Sequence, residues 1–274
     1  YCSREVRRPS DSVRFILAQN ELNSYASFLS SSILAYGSDY VVEAIQLIEN
    51  LIANKNEVVR NQAYFSLGRL SVDESKANLI WDLISRNAGS ENDNDCCASI
   101  LTATLHFGES HPSYWSQVEG FLISFLKNVS TEVLYTISNI IAFRRVNVPK
   151  NILHLMVKQL SNASSDCKAI IDNIDHLLVR LVDINETSLA VDLLESILIS
   201  GVEFKSLDYF SSKLTGNYKA LRNYIFTKWF LYGEAMLCRS ILDLLIHATN
   251  KEIELKAEMT ILDNERKKVF VSRK

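Results

Sequence analysis

The sequence predicts an all-α fold, a right-handed α-solenoid of stacked antiparallel helix pairs. Apolar residues recur at three- and four-residue spacing along most of the chain, which is the pattern of amphipathic helices. The 274 residues include only 8 Gly and 3 Pro, too few for an all-β sandwich with a turn about every ten residues. One helical pattern also returns after two periods of about 37 or 38 residues. We therefore expect a single array over residues 1–274, with about 12 to 15 helices and short loops.

The clearest helix pair covers residues 38–71. Gly37 is suited to end the preceding helix, and the first helix of the pair is predicted to begin near Ser38 or Asp39. After the polar residues 54–56, the stretch NEVVRNQAYFSLGRLS predicts a second helix, capped at its start by Asn56. The apolar residues of the second helix that share one face are Val59, Ala63, Leu67 and Leu70.

A similar unit returns further along the chain. SYWSQVEGFLISFLKN and STEVLYTISNIIAFRR, residues 113–128 and 130–145, have the same helical spacing. Aligning Glu57 with Glu132 gives the repeat distance stated above, and a helix over Asp95–Gly108 lies near the single period. Further helices are predicted at Lys150–Leu160, Asp166–Val182, Ser188–Ser200, Tyr218–Tyr232 and Glu234–Thr249.

The stretch from residue 56 to 70 resembles the second helix of a HEAT repeat. In this family a polar turn is followed by Val-Arg, then by Ala, Leu-Gly and a final Leu, and the matching residues are Val59, Arg60, Ala63, Leu67, Gly68 and Leu70. The resemblance implies a HEAT- or armadillo-like solenoid, in which small residues let neighbouring helices approach and the Arg bridges successive turns. The acidic residue that the family often has in the turn before this helix is replaced here by the residues 54–56, Asn-Lys-Asn.

Composition restricts the class of protein. The net charge of −3 provides no overall basic field for nucleic acid. Five cysteines without a regular spacing are read as reduced thiols of a cytoplasmic protein. No apolar run reaches the roughly 18 residues that a membrane span requires. Because the chain begins at Tyr1, we expect it to be a fragment of a larger protein with upstream domains.

The densest group of potential metal ligands is formed by Cys96, Cys97, His106 and His111. Adjacent cysteines on a helix point in different directions and neither CxxC nor HxxxH spacing occurs, so we favour buried thiols over a metal site. Asp93 and Asp95 lie in a segment that resembles a calcium loop but lacks its glycine and its final glutamate. They are interpreted as residues of a solvated loop or helix cap.

Acid–base chemistry is suggested by Asp172, Asp175 and His176, which lie close together on one predicted helix. A polar helix face is the better interpretation, because no GxSxG, GxGxxG or GxxxxGK[ST] motif accompanies them. Other candidates are interpreted as packing residues, with helix capping also open for the histidines: His154, His247, Trp81, Trp115 and Trp229. We therefore predict no catalytic, cofactor-binding or metal residues, and the binding residues stay unassigned.

The C-terminal part of the sequence is mildly basic. From Glu203 to Lys274 there are 13 Lys or Arg against 9 Asp or Glu, and residues 250–274 form a basic tail or a small hairpin. The tail ends in the basic cluster Arg266–Lys274. We favour a solvated terminus for this tail.

Two functions from different classes remain. The first is a non-catalytic scaffold whose concave face binds a protein or peptide, as the recognition arm of a larger protein such as a signalling or defence NTPase. The alternative is a nucleic-acid-binding HEAT-like protein, for example an enzyme of the DNA glycosylase type. That alternative needs basic residues stacked in a groove, and those outside the tail are sparse: Arg60, Arg69, Arg144 and Arg145. The partner that we expect is a protein or peptide.

Overall fold

The computed structural model describes residues 7–144, 147–246 and 249 of the chain. It is all-α: 77% helical, with 14 helices packed in neighbouring pairs and no strand in the described part. The helices are α1 (Arg7–Leu17), α2 (Leu22–Leu34), α3 (Val41–Ile52), α4 (Glu57–Leu67), α5 (Ala77–Ala88), α6 (Asn94–Ser110), α7 (Trp115–Phe125), α8 (Thr131–Phe143), α9 (Lys150–Leu160), α10 (Lys168–Asp183), α11 (Thr187–Ile199), α12 (Asp208–Thr215), α13 (Lys219–Tyr232) and α14 (235–246).

The predicted helical class and the predicted number of helices are therefore confirmed for the described residues. Short 3-10 turns precede three of the helices, at Glu74–Lys76, Pro112–Tyr114 and Phe204–Ser206. The predicted tail or hairpin over residues 250–274 lies outside the described residues, as does the cluster Arg266–Lys274.

The chain divides into two compact units, with the boundary between Gln159 and Leu160. In the first unit α4 packs against α2, α3 and α6, and α6 in turn packs against α8. Helices α2, α4, α6 and α8 thus form one layer, while α3 and α5 contact each other beside it. In the second unit α10 contacts α11 and α12, and α12 contacts α13.

The layer of the first unit is held together by close packing of small residues. Ala63 is fully buried and Leu67 is buried beside it, as the apolar pattern predicted. Gly68 lies so near α6 that a Cβ atom on it would stand 2.4 Å from the Cα of Ala103. Since that distance is shorter than any ordinary carbon–carbon contact, glycine is required here by the close approach of two helices.

Helix boundaries differ from the predictions in a few places. Helix α3 begins at Val41, after a turn that contains Gly37 with a φ of 63°, and not at Ser38 or Asp39. The N-cap residue Tyr40 makes no side-chain cap hydrogen bond, so this start has no local signal. Three helices without a specific prediction were also found, namely α1, α5 and α12.

Candidate binding surface

The starts of α4, α6 and α8 follow one rule. Their N-cap residues are Asn56, Asp93 and Ser130, at intervals of 37 residues, and each side chain accepts a hydrogen bond from a backbone N–H two or three residues on. Such caps satisfy donors that the first turn of a helix leaves unpaired. The predicted cap at Asn56 is confirmed, and Asp93 is a helix cap. The 37-residue period is thus visible in the positions of the caps.

Contacts along α4 and α6 show that these two helices run parallel. Near their starts the Cys96 thiol donates to the carbonyl oxygen of Glu57 at 3.4 Å. One turn later the Ser99 hydroxyl donates to Oδ1 of Asn61 at 3.2 Å. Near their ends Gly68 lies against Ala103. Equivalent positions of successive repeats are therefore placed side by side.

Arg60 links the turn before α4 to the turn before α6. Its guanidinium donates to both carboxylate oxygens of Glu91, at 2.9 and 3.1 Å, and to the carbonyl oxygens of Asn54 and Lys55. The pKa of Arg60 is raised by Glu91. Burial acts to raise the pKa of Glu91, but Arg60 and two backbone N–H groups outweigh it, and the pKa lies below its ordinary value. Arg60 therefore bridges successive turns, with an acid that comes from the following turn.

The exposed side of α4, α6 and α8 forms a surface that we call the parallel-helix face. Its members occupy corresponding positions of the three repeats and are listed together: Phe65 and Arg69 on and after α4, Thr102 and His106 on α6, Asn139 and Phe143 on α8. Tyr135 lies one turn before Asn139 on the same side of α8 and also belongs to the face; it is 44% exposed, and Phe143 is 51% exposed. The face thus combines aromatic rings with uncharged polar groups.

Cations collect at the C-terminal ends of these three helices. Arg69 and Arg144 are exposed, and the Arg69 guanidinium lies 4.0 Å from the centre of the Phe65 ring. In the sequence, half-buried His106 lies between Arg69 and Arg144. Burial lowers the pKa of His106, and the positive charges of Arg144 and Arg69 lower it further, while Glu109 raises it. Arg69 and Arg144 are therefore each close enough to His106 to act on it, and we call Arg69, His106 and Arg144 the basic row.

A cleft of about 520 Å³ lies at the opposite ends of α6 and α8. Stacked Phe121 and Phe125, with ring centres 5.2 Å apart, form its apolar part. Cys97 and Ser130 contribute polar atoms. Burial raises the pKa of the Cys97 thiol, which keeps it protonated and weakly nucleophilic near neutral pH.

The cysteines and histidines that suggested metal binding are found in structural positions. Cys96 is buried, as predicted, and Cys97 is half-buried. His111 is buried, its Nδ1 lies 2.7 Å from Oε2 of Glu74, and Ser113 donates to the other oxygen of the same carboxylate. His106 is on the parallel-helix face. Within the described residues no group of three His, Cys, Asp or Glu side chains is placed to hold a metal ion.

The prediction that Asp175 belongs to a polar helix face is wrong. Asp175 is buried, and its carboxylate accepts hydrogen bonds from the backbone N–H groups of Tyr209 and Phe210 at 2.8 and 2.7 Å. It therefore caps α12 from the neighbouring α10. Burial raises the pKa of Asp175, and the two N–H donors oppose that effect. Asp172 and His176 are exposed, as predicted, and the His176 ring packs at a tilt against the Tyr209 ring, with ring centres 4.9 Å apart.

The tryptophans and the remaining histidines have different environments. Trp229 is fully buried, and its indole N–H donates to Glu195 at 2.8 Å. Trp81 is half-buried and packs on Phe107 with ring centres 5.8 Å apart. Trp115 is half-buried next to Gly108. His154 is exposed on α9, and His247 lies outside the described residues, as does Arg145.

Comparisons with known proteins found no match. No family model matches the chain, and neither the curated proteins nor the solved structures include a match. Among the described residues, no helix combines the length and the apolar character that crossing a membrane demands.

Sequence reasoning did not find the two features that organise the candidate surface. The basic row has a signal in the sequence, because Arg69 and His106 are 37 residues apart and Arg144 follows 38 residues later. That spacing becomes meaningful only once the cap positions fix the period. The partner of Arg60 had no such signal, because Glu91 is 31 residues away and lies in a loop.

Proposed function

We propose that this chain is a non-catalytic arm that binds a protein or peptide on the parallel-helix face. The observation that carries the proposal is the parallel packing of α4 on α6, together with the packing of α8 on α6, which places corresponding side chains of successive repeats next to each other. An array of this kind offers an extended surface on which a long segment of a partner can contact one repeat after another.

The chemistry of the face supports a polypeptide partner. Exposed aromatic rings provide large contact areas at low cost in side-chain entropy, and they are enriched where proteins bind proteins. Half-buried Phe65 and exposed Phe143 are separated by half-buried Thr102 and Asn139, whose polar groups can pair with backbone N–H and C=O groups of a peptide. Such alternation of apolar and polar contacts suits an extended peptide.

Three side chains capable of chemistry have structural partners, which also favours the binding role. Asp175 caps α12, His111 lies against Glu74, and the Cys96 thiol donates to a backbone carbonyl. We place the protein in the cytoplasm, since the four described cysteines are all free thiols.

A displayed peptide library selected on the whole chain tests the proposal. We expect families of enriched peptides whose affinity falls about tenfold or more with Tyr135→Ala on α8, because an exposed aromatic side chain of the face is lost. The matched control is Ile123→Ala on α7, which is 52% exposed and lies outside the face.

Enriched peptides that bind both variants equally would place the binding surface elsewhere. A library without any enriched peptide would contradict the proposed function as a whole. Duplex DNA is the comparison ligand: its affinity is expected to be no better than non-specific, about 10⁻⁴ to 10⁻⁶ M at physiological salt.

A further inference from the structure

We propose that the parallel-helix face binds an acidic segment of its partner in an extended, polyproline II-like conformation, with an Asp or Glu at every third residue opposite the basic row. This inference rests on the proposed function and gives it a specific ligand chemistry. It follows from the placement of Arg69, His106 and Arg144 at the ends of three adjacent parallel helices.

The sign of the ligand charge follows from the two edges of the face. The basic row lies at the C-terminal ends of α4, α6 and α8, whereas Glu57, Asp95 and Glu132 lie in their first turns. Arg69 and Arg144 therefore make the first edge positive, with Glu109 beside His106 opposing them, and exposed Glu57 and Asp95 make the opposite ends of the helices acidic. An acidic segment is attracted to the first edge and repelled from the second, and this fixes its position on the face.

The spacing of the ligand charges follows from helix packing. Axes of packed helices are about 8–10 Å apart, so neighbouring members of the basic row are separated by about that distance. A polyproline II segment has three residues per turn and rises about 3.1 Å per residue, which brings every third side chain to the same side at intervals of about 9 Å. A β-strand presents every second residue, at about 6.6 Å, and does not match.

Nucleic acid is a poorer match for the same surface. A nucleic acid carries a negative charge at every phosphate, whereas the basic row supplies only three positions. The acidic side chains at the other ends of the helices are only one helix length away and would repel those phosphates. The Phe65 ring beneath the Arg69 guanidinium adds an apolar contact next to the charge. That combination suits a peptide with apolar residues between its acids.

Protonation of His106 couples this binding to pH. Without a ligand, burial, Arg144 and Arg69 lower the pKa of His106, with Glu109 opposing them, and this favours the neutral imidazole. A bound carboxylate favours the imidazolium form, so binding takes up a proton. Affinity for the acidic segment therefore rises as the pH falls from about 8 to about 6, while the carboxylates of the ligand stay ionised.

Fluorescence anisotropy with synthetic peptides tests the inference. The probe is a labelled peptide with Asp at every third position and Pro or Ala between, and its isomer has Asp at every second position. We expect the period-three peptide to bind the whole chain about tenfold more tightly, with Arg69→Glu abolishing the difference. The matched control is Lys127→Glu, an exposed charge reversal between α7 and α8, expected to change affinity less than about twofold.

Two further variants test the neighbours of the row. Glu109→Gln removes the acidic side chain beside His106 and is expected to tighten binding about two- to fivefold. His106→Gln is expected to remove most of the pH dependence and to leave the preference for period three. Circular dichroism of each variant checks that its helix content is unchanged.

Equal affinity for the two peptide isomers, or an equal effect of Arg69→Glu and Lys127→Glu, would overturn the inference. If library peptides still depend on Tyr135 in that case, the proposed function survives and only the acidic ligand is wrong. A single-stranded 15-mer oligonucleotide that binds more tightly than the period-three peptide, and is lost with Arg69→Glu, would replace the acidic peptide by nucleic acid.

Discussion

Helices α4, α6 and α8 of the first unit begin differently from α10, α12 and α13 of the second unit, whereas α2, α3, α5 and α7 of the first unit also make no side-chain cap hydrogen bond. In the first unit α4, α6 and α8 each carry their own capping side chain, at positions 56, 93 and 130. In the second unit the N-cap residues of α10, α12 and α13 make no side-chain cap hydrogen bond. The cap of α12 is provided by Asp175 of another helix.

Polar contacts between repeats also have different spacings in the two units. In the first unit three of them join residues 37 to 39 apart, namely the pairs Glu74–His111, Asn61–Ser99 and Glu57–Cys96, while Arg60 and Glu91 are 31 apart. In the second unit they join residues 33 to 35 apart, from Asp175, Asp183 and Glu195 to residues of α12, α13 and the turn between them. These contacts of the second unit therefore lack the 37-residue period that the caps of the first unit show.

This difference shows two ways in which a chain can specify where the helices of a repeat begin. A local cap is contained in the segment that it starts, so the first unit carries its period in its sequence. A cap from a neighbouring helix exists only after the two helices have packed. The second unit therefore depends on a few polar side chains of neighbouring helices, among them buried Asp175, and the following substitutions measure that dependence.

Asp175→Ala is expected to have the largest effect. It leaves two N–H groups at the start of α12 without acceptors, and we expect a loss of about 2–4 kcal/mol, reduced by the relief of burying a carboxylate. Hydrogen exchange should become faster at the amides of Tyr209 and Phe210. The matched control, Asp172→Ala on the exposed side of α10, should stay within about 0.5 kcal/mol. Equal effects of the two changes would show that α12 does not need this cap.

Gly68→Ala is expected to destabilise the first unit by about 1–3 kcal/mol. The added methyl group overlaps the backbone of Ala103, so α4 and α6 must separate. Gly120→Ala in α7 is the control with the opposite sign, since a Cβ there meets nothing within 4 Å and alanine favours a helix by up to about 1 kcal/mol. Urea unfolding of both variants measures the contrast. A neutral Gly68→Ala would mean that α4 and α6 are not packed as closely as described.

Asn56→Ala and Ser130→Ala are each expected to cost about 1 kcal/mol, because each removes one local cap. The comparison variant is Cys167→Ala at the start of α10, where the side chain makes no cap hydrogen bond, and the expected cost is smaller. Thermal unfolding of the three variants ranks their losses of stability. A cost for Cys167→Ala as large as the other two would erase the distinction between the units.

The smallest effect concerns the pH dependence of stability through His106. Its folded pKa is lowered, mainly by burial, so the neutral form stabilises the first unit above the unfolded pKa of about 6.5. This stabilisation is lost as the pH falls through the folded pKa. His106→Gln should therefore reduce the loss of melting temperature between pH 7.5 and 5 relative to the parent chain. An unchanged profile would indicate that protonation of His106 is not coupled to folding.

Helical class, the cap at Asn56 and the burial of Ala63 and Leu67 were determined by the sequence itself. Each depends on residues close in sequence: a capping side chain acts two or three residues away, and an apolar stripe is defined by the geometry of one helix. For the same reason α12 was missed, because it is short, begins at Asp208 and has no cap of its own.

Only the tertiary structure decided the partners of Arg60 and Asp175 and the existence of the basic row. Glu91 and the N–H groups of Tyr209 and Phe210 lie 31 to 35 residues from the side chains that bind them. Arg69, His106 and Arg144 are on separate repeats, and they meet only because α4, α6 and α8 stack in parallel. Sequence proximity governs the first group of features, whereas contacts between helices depend on a packing arrangement that no single segment contains.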